Sequence, residues 1–110
     1  MSNLLFDVKL IENNDIVICG KFNGFLNNNV INFNDGVNNI FDLNKLVLER
    51  ISDDYKIIFD FVNLTCEYTF NDMSVKMMVD VTYKKICSNS LFLKYKLIDT
   101  GNIYEYSVNW

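Results

Sequence analysis

Arg50 is the only arginine in the chain, and it closes the apolar run Leu46-Val-Leu-Glu-Arg50. A guanidinium keeps its charge in any protein setting, and a lone buried charge is very costly. If Arg50 points inward it therefore needs an acidic partner or an anionic ligand, and a fatty acid or another carboxylate would satisfy it through two parallel hydrogen bonds. The plainer alternative is an arginine at a strand end, exposed or paired with Glu67 or Asp53. Tyr68, Tyr83, Tyr95, Tyr104 and Tyr106 set hydroxyls beside apolar rings, a mixture common in small-molecule pockets. Tyrosine is also a favoured strand residue, so packing accounts for these positions equally well. Met73 and Met77 suit either an adaptable cavity wall or a filled core. The candidate ligand-binding set is Arg50, Tyr68, Tyr95 and Met77.

Other chemistries find little support. The chain has no histidine, which removes Ser-His and Cys-His nucleophile pairs, histidine bases and the usual zinc ligand. The carboxylates at Asp53-Asp54, Asp60, Asp72 and Asp80 have neither metal-loop spacing nor that of an acid–base pair, and no glycine-rich phosphate loop is present. Asp35-Gly36 and Asp53-Asp54 read first as turn residues. The three cysteines, Cys19, Cys66 and Cys87, lack CxxC spacing and read as small buried hydrophobes or reduced thiols. The expectation is a non-catalytic protein without metal or cofactor.

The elements that must position these residues are strands. In Asn71-Asp-Met-Ser-Val-Lys-Met-Met-Val-Asp-Val-Thr-Tyr-Lys-Lys85, Met73, Val75, Met77, Val79, Val81 and Tyr83 occupy every second position, which predicts one strand with a dry side and a wet side. Similar alternation marks residues 4–12, 16–25, 30–33, 57–61, 64–70, 91–97 and 104–110. Asn13 to Asp15, Asn27 to Asn29, Asn34-Asp35-Gly36, Ser52 to Asp54, Asn71-Asp72, Ser88 to Ser90 and Thr100 to Asn102 read as turns between them. Gly20 and Gly24 allow a bulge or sharp bend in the second strand. Residues 38–51 admit two readings. One is a pair of short strands, 38–43 and 46–51, around Asn44-Lys45. The other is a helix over about 39–51 with Ile40, Leu43, Val47 and Ile51 at helical spacing, and the strand pair is favoured. No internal repeat is evident. The result is one domain over residues 1–110, an all-β antiparallel meander of about eight to ten strands, closed into a barrel because closure removes exposed sheet edges.

From Gly20 onward the order of signals resembles the YwiB-like family of uncharacterised bacterial proteins, which are calycin-like barrels. The matching stretches are Val30-Ile-Asn-Phe-Asn-Asp35, Ile40-Phe-Asp-Leu43, Leu46-Val-Leu-Glu-Arg50, Ile58-Phe59, Glu67-Tyr-Thr69, the alternating strand 73–83, Leu91 to Leu97 and a final strand ending at Trp110. One departure is Asn71-Asp72, where such proteins tend to carry a glycine. Both residues tolerate the left-handed backbone that glycine would supply. The resemblance implies a calycin-like barrel and no particular activity.

Half the residues are apolar and the net charge is −4. Lys84-Lys85 and Lys94 with Lys96 are the only concentrations of cations, far from the basic stripe of a nucleic-acid binder. No apolar run reaches the length of a membrane span, and Met-Ser-Asn-Leu-Leu-Phe-Asp-Val-Lys-Leu lacks the regions of a secretion signal, so the expected location is the cytoplasm. Two functions remain. In the first, the interior binds a small apolar, amphipathic or anionic ligand. In the second, the protein is an interaction module with a solid core, a homodimer or an acidic inhibitor of a basic nucleic-acid-binding partner. Met78, Phe92 and Ile98, apolar residues on the wet side of their strands, would then form the outer contact patch.

Overall fold

The computed structural model describes residues 2–110, which form ten strands and, among the described residues, no helix. The strands are β1 (Ser2–Glu12), β2 (Asp15–Asn27), β3 (Val30–Asn34), β4 (Asn38–Asp42), β5 (Val47–Ile51), β6 (Tyr55–Asp60), β7 (Thr65–Phe70), β8 (Met73–Cys87), β9 (Ser90–Leu97) and β10 (Ile103–Asn109). Each is antiparallel to its neighbour in sequence, and β10 pairs with β1 to close the ring, with Val8 opposite Val108 and Leu10 opposite Tyr106. Residues 38–51 are the strand pair, with the turn spanning residues 43–46.

Asparagine is what permits the tight hairpins. Asn13 and Asn14, Asn28 and Asn29, and Asn71 and Asp72 all have positive φ at both turn positions, the conformation of the two-residue turns whose twist matches that of paired strands. A Cβ at Gly24 would collide with the carbonyl oxygen of Asn32. That glycine lets β2 press against β3 just where Phe6 and Phe33 stack at 5.5 Å.

The connections β4–β5 and β6–β7 are one local device used twice. Phe41-Asp-Leu-Asn-Lys-Leu46 and Phe59-Asp-Phe-Val-Asn-Leu64 share the pattern Phe-Asp, an apolar residue, two further residues and Leu. In the first, Asp42 Oδ1 accepts the backbone N–H groups of Asn44 and Lys45. In the second, Asp60 Oδ1 accepts those of Val62 and Asn63. Each turn ends on a leucine with positive φ, 55° at Leu46 and 61° at Leu64.

Inward positions align across the strands. One row runs Phe33, Asn39, Arg50, Ile57, Tyr68, Val75, and the next runs Ile31, Phe41, Leu48, Phe59, Cys66, Met77. The dry side expected for β8 holds only at its centre, where Val79 is buried and Met77 and Val81 pack against the core. A strand of 15 residues spans on the order of 50 Å, more than the barrel can enclose. Met73 and Val75 keep inward register but lie at the rim, 67% and 50% exposed. A bulge at Thr82, between Val81 opposite Tyr95 and Tyr83 opposite Lys94, inverts the alternation, so Tyr83 faces outward. The second strand also bulges, though near Val17 rather than at a glycine.

Candidate functional site

Aromatic rings fill much of the interior. Phe6 stacks on Phe33 and meets Trp110 at 6.0 Å, and Phe61 contacts Phe41, Phe59 and Tyr95 at 6.1, 5.6 and 5.1 Å. Toward the end that carries the turns at 13–14, 52–54, 71–72 and 98–102, packing gives way to a cavity of about 190 Å3. Leu10, Leu48, Ile57, Phe59, Met77 and Leu97 supply its apolar wall, while Arg50, Cys66, Tyr68, Tyr95, Tyr104 and Tyr106 supply its polar atoms. Phe59 and Tyr95, 5.6 Å apart, belong both to the packed aromatics and to the cavity. Tyr95 also stacks on Tyr104 at 5.1 Å. At the cavity mouth Tyr68 stacks between Tyr55 and Phe70, which lie outside the wall, at 5.7 and 6.4 Å. With Met73 and Val75 they make an apolar rim on β6, β7 and β8.

Arg50 lies in the cavity wall, and its partner is neither Glu67 nor Asp53. Nη1 donates to Asp35 Oδ2 at 3.1 Å and to Asn39 Oδ1 at 2.8 Å. The Asp35 side chain is fully buried and that of Arg50 is 15% exposed. Local structure brings the three together. Asn39 and Arg50 are direct cross-strand partners, and the β3–β4 turn carries Asp35 over them. Asn39, itself buried, completes its hydrogen bonding by donating Nδ2 to the carbonyls of Val37 and Phe33. The guanidinium is thus neutralised from within the chain, by an acid whose type is already explained locally by the turn that carries it.

The cavity holds its acids protonated. Burial pushes the Tyr95 and Tyr106 hydroxyls well above the ordinary tyrosine range. It also pushes Tyr104 up to about 12, assisted by the Glu12 carboxylate, and the Cys66 thiol up to about 11. Among the described residues, the Tyr106 hydroxyl is the buried side-chain group left without a hydrogen-bond partner. It feels the charges of both Arg50 and Asp35 yet bonds to neither.

All four residues of the expected ligand-binding set, Arg50, Tyr68, Tyr95 and Met77, therefore line one cavity, joined by Tyr104 and Tyr106. Tyr83 does not, and Met73 reaches only the rim. The outer set divides. Met78 and Ile98 are neighbours, since the Ile98 N–H donates to the Met78 carbonyl at 3.0 Å, and each is about half exposed. Phe92 sits opposite Lys85 and packs edge-on against Tyr83 at 5.8 Å. Its cross-strand partner Lys85 is seven residues along β8 from Met78, which puts Phe92 on the order of 20 Å from the Met78–Ile98 pair. Of the cysteines, only Cys66 is buried; Cys19 and Cys87 are exposed free thiols. A larger depression of about 480 Å3 lies over Leu4, Leu5, Gly24 and Phe25. No buried polar group faces it, so it lacks the features that mark the interior cavity. No family model, curated protein or solved structure matches the chain.

Proposed function

We propose that this small β-barrel is a non-catalytic binding protein that takes a small apolar or amphipathic molecule into its interior cavity. The observation that carries this reading is the convergence of Arg50, Tyr68, Tyr95, Tyr104, Tyr106 and Met77 on one cavity behind an apolar rim. A few placed polar groups in an otherwise apolar wall is the usual composition of a small-molecule site. The size limits the occupant. A cavity of about 150 Å3 takes benzene, so about 190 Å3 suits one ring or a short chain. The raised Cys66 and tyrosine pKa values favour a binding role over catalysis, because an activated nucleophile needs the opposite shift. The charged outward residues Lys76, Asp80, Lys94 and Lys96 support an aqueous, cytoplasmic setting, and no helix among the described residues is long and apolar enough to cross a membrane. The calycin-like resemblance agrees with a barrel built to hold a ligand.

The exposed Met78–Ile98 pair favours a second reading, in which the outer face of β8 and β9 contacts a protein partner or a second copy. Native mass spectrometry of the freshly purified protein, repeated after denaturation, separates the two. A small mass excess present only in the folded state supports interior binding. A bare 12.9 kDa species or its double, together with a melting temperature unmoved by saturating toluene, contradicts it.

A further inference from the structure

The orientation of the Arg50–Asp35 pair narrows the class of ligand, provided that the interior-binding reading holds. Asp35 and Asn39 both take their hydrogen bonds from Nη1 of Arg50. A guanidinium carries five N–H donors in a fixed plane. The edge formed by Nε and Nη2 is therefore left over, and it donates to no group among the described residues. Nor is that edge sealed inside the protein. The buried side-chain polar atom without a partner is the Tyr106 hydroxyl, which is closed off within the wall, whereas the Arg50 side chain keeps 15% exposure.

The two charges of the pair stand in different places. Arg50 lines the cavity, and neither Asp35 nor Asn39 does. The pair is thus neutral as a whole but presents its positive end to the interior, and the Tyr95 hydroxyl in the same wall feels the Arg50 charge. The other polar atoms of the wall belong to Cys66 and the tyrosines, and burial keeps Cys66, Tyr95, Tyr104 and Tyr106 protonated. Among the described residues no carboxylate lines the cavity; Glu12 acts on Tyr104 alone among these groups. An incoming anion meets the guanidinium first, and Asp35 only across it.

We propose that the cavity takes a small carboxylate of roughly six to ten non-hydrogen atoms, a size scaled from the benzene-binding cavity, whose two oxygens accept from Nε and Nη2 of Arg50 while its apolar part packs against Phe59, Met77, Tyr95 and Leu97. Two parallel N–H bonds to a planar carboxylate are the contact for which that edge of an arginine is suited. The bonds to Asp35 and Asn39 hold the guanidinium in place beforehand, so little side-chain freedom is lost on binding. Aryl and short-chain carboxylates belong to this class.

Three probes of similar shape test the proposal by NMR titration at neutral pH: toluene, benzyl alcohol and benzoate. Benzoate is expected to bind about ten-fold more tightly than benzyl alcohol, because charge-assisted hydrogen bonds are roughly twice as strong as neutral ones. Equal or weaker binding of benzoate overturns the carboxylate class and leaves interior binding standing. Two variants locate the contact. Arg50→Lys keeps a charge beside Asp35 but loses the planar fork. The double change Arg50→Met with Asp35→Asn removes both charges and strands neither. In each, the ratio of benzoate to toluene affinity should fall about ten-fold. A ratio unchanged in the double variant overturns the role of Arg50, and one unchanged only in Arg50→Lys overturns the paired contact through Nε and Nη2. Failure of all three probes to perturb cavity resonances overturns interior binding itself.

Discussion

At the scale of single residues, the Asp35–Arg50–Asn39 contact distinguishes this barrel from one held together by packing alone. A buried ion pair contributes little compared with apolar replacements, but removing one member leaves the other charge stranded. Asp35→Ala should lower the unfolding free energy by roughly 3 kcal/mol, measured by chemical denaturation. The double change Arg50→Met with Asp35→Asn should lose much less. An effect of Asp35→Ala within experimental error would mean that the guanidinium reaches solvent. Arg50 was conspicuous as the only arginine, and the tyrosines and Met77 stood out by their alternation. The identity of its partner was hidden. Asp35 lies 15 residues away in a turn, where its type already has a local explanation, and nothing in local spacing reveals that the turn folds over the row containing Arg50.

At the scale of elements, the repeated Phe-Asp turns offer a paired comparison. Leu46 and Leu64 share a left-handed backbone that costs a side-chain-bearing residue roughly 1 kcal/mol. Leu46 is buried, while Leu64 is 36% exposed. Leu64→Gly should therefore be neutral or stabilising by up to about 1 kcal/mol, whereas Leu46→Gly should cost about 2 kcal/mol or more through lost burial. Equal losses at both sites would mean that backbone strain is not what sets the outcome. A second prediction concerns the edge of β8. Residues Asp80 to Cys87 pair only with β9, because β7 reaches no further than Met78. Lys84, Lys85 and the bulge at Thr82 are the usual means of keeping such an edge from pairing with another chain. Replacing both lysines by threonine should promote association detectable by light scattering, and a monodisperse variant would show that the bulge alone suffices. Strand existence and most turns were legible because period-two alternation and Asn-rich punctuation are local signals. The bulges at Val17 and Thr82 were not, because either residue fits a regular strand equally well. Their position answers to the stagger of the closed ring.

At the scale of the whole molecule, closure makes the interior one apolar enclosure, and its acids report on that enclosure. Tyr95, Tyr104 and Tyr106 have folded-state pKa values raised above the unfolded value of about 10. Below that pH both states keep these protons and the contribution to stability is fully present. As pH rises further, the unfolded chain releases protons that the barrel retains, so stability falls. The Cys66 thiol, at about 11 against an ordinary 9.0, acts in the same direction from a slightly lower pH. Alkaline titration should show these tyrosines ionising together with loss of the sheet circular-dichroism signal. Ionisation of all six tyrosines near pH 10 with the sheet intact would show that the interior is open to water. The barrel class was legible from the recurrence of strands at short intervals. Whether its interior is full was not, because alternation marks the inward side without measuring the volume that the inward side chains leave unfilled.

The most direct test of interior binding is an intermolecular NOE experiment on the protein saturated with benzyl alcohol. Contacts from the probe to the Met77 methyl, the Leu97 methyls and the rings of Tyr95 and Tyr106 are expected. Contacts confined to Met78 and Ile98 on the outer face, or none at all, would contradict the claim that the barrel encloses its ligand.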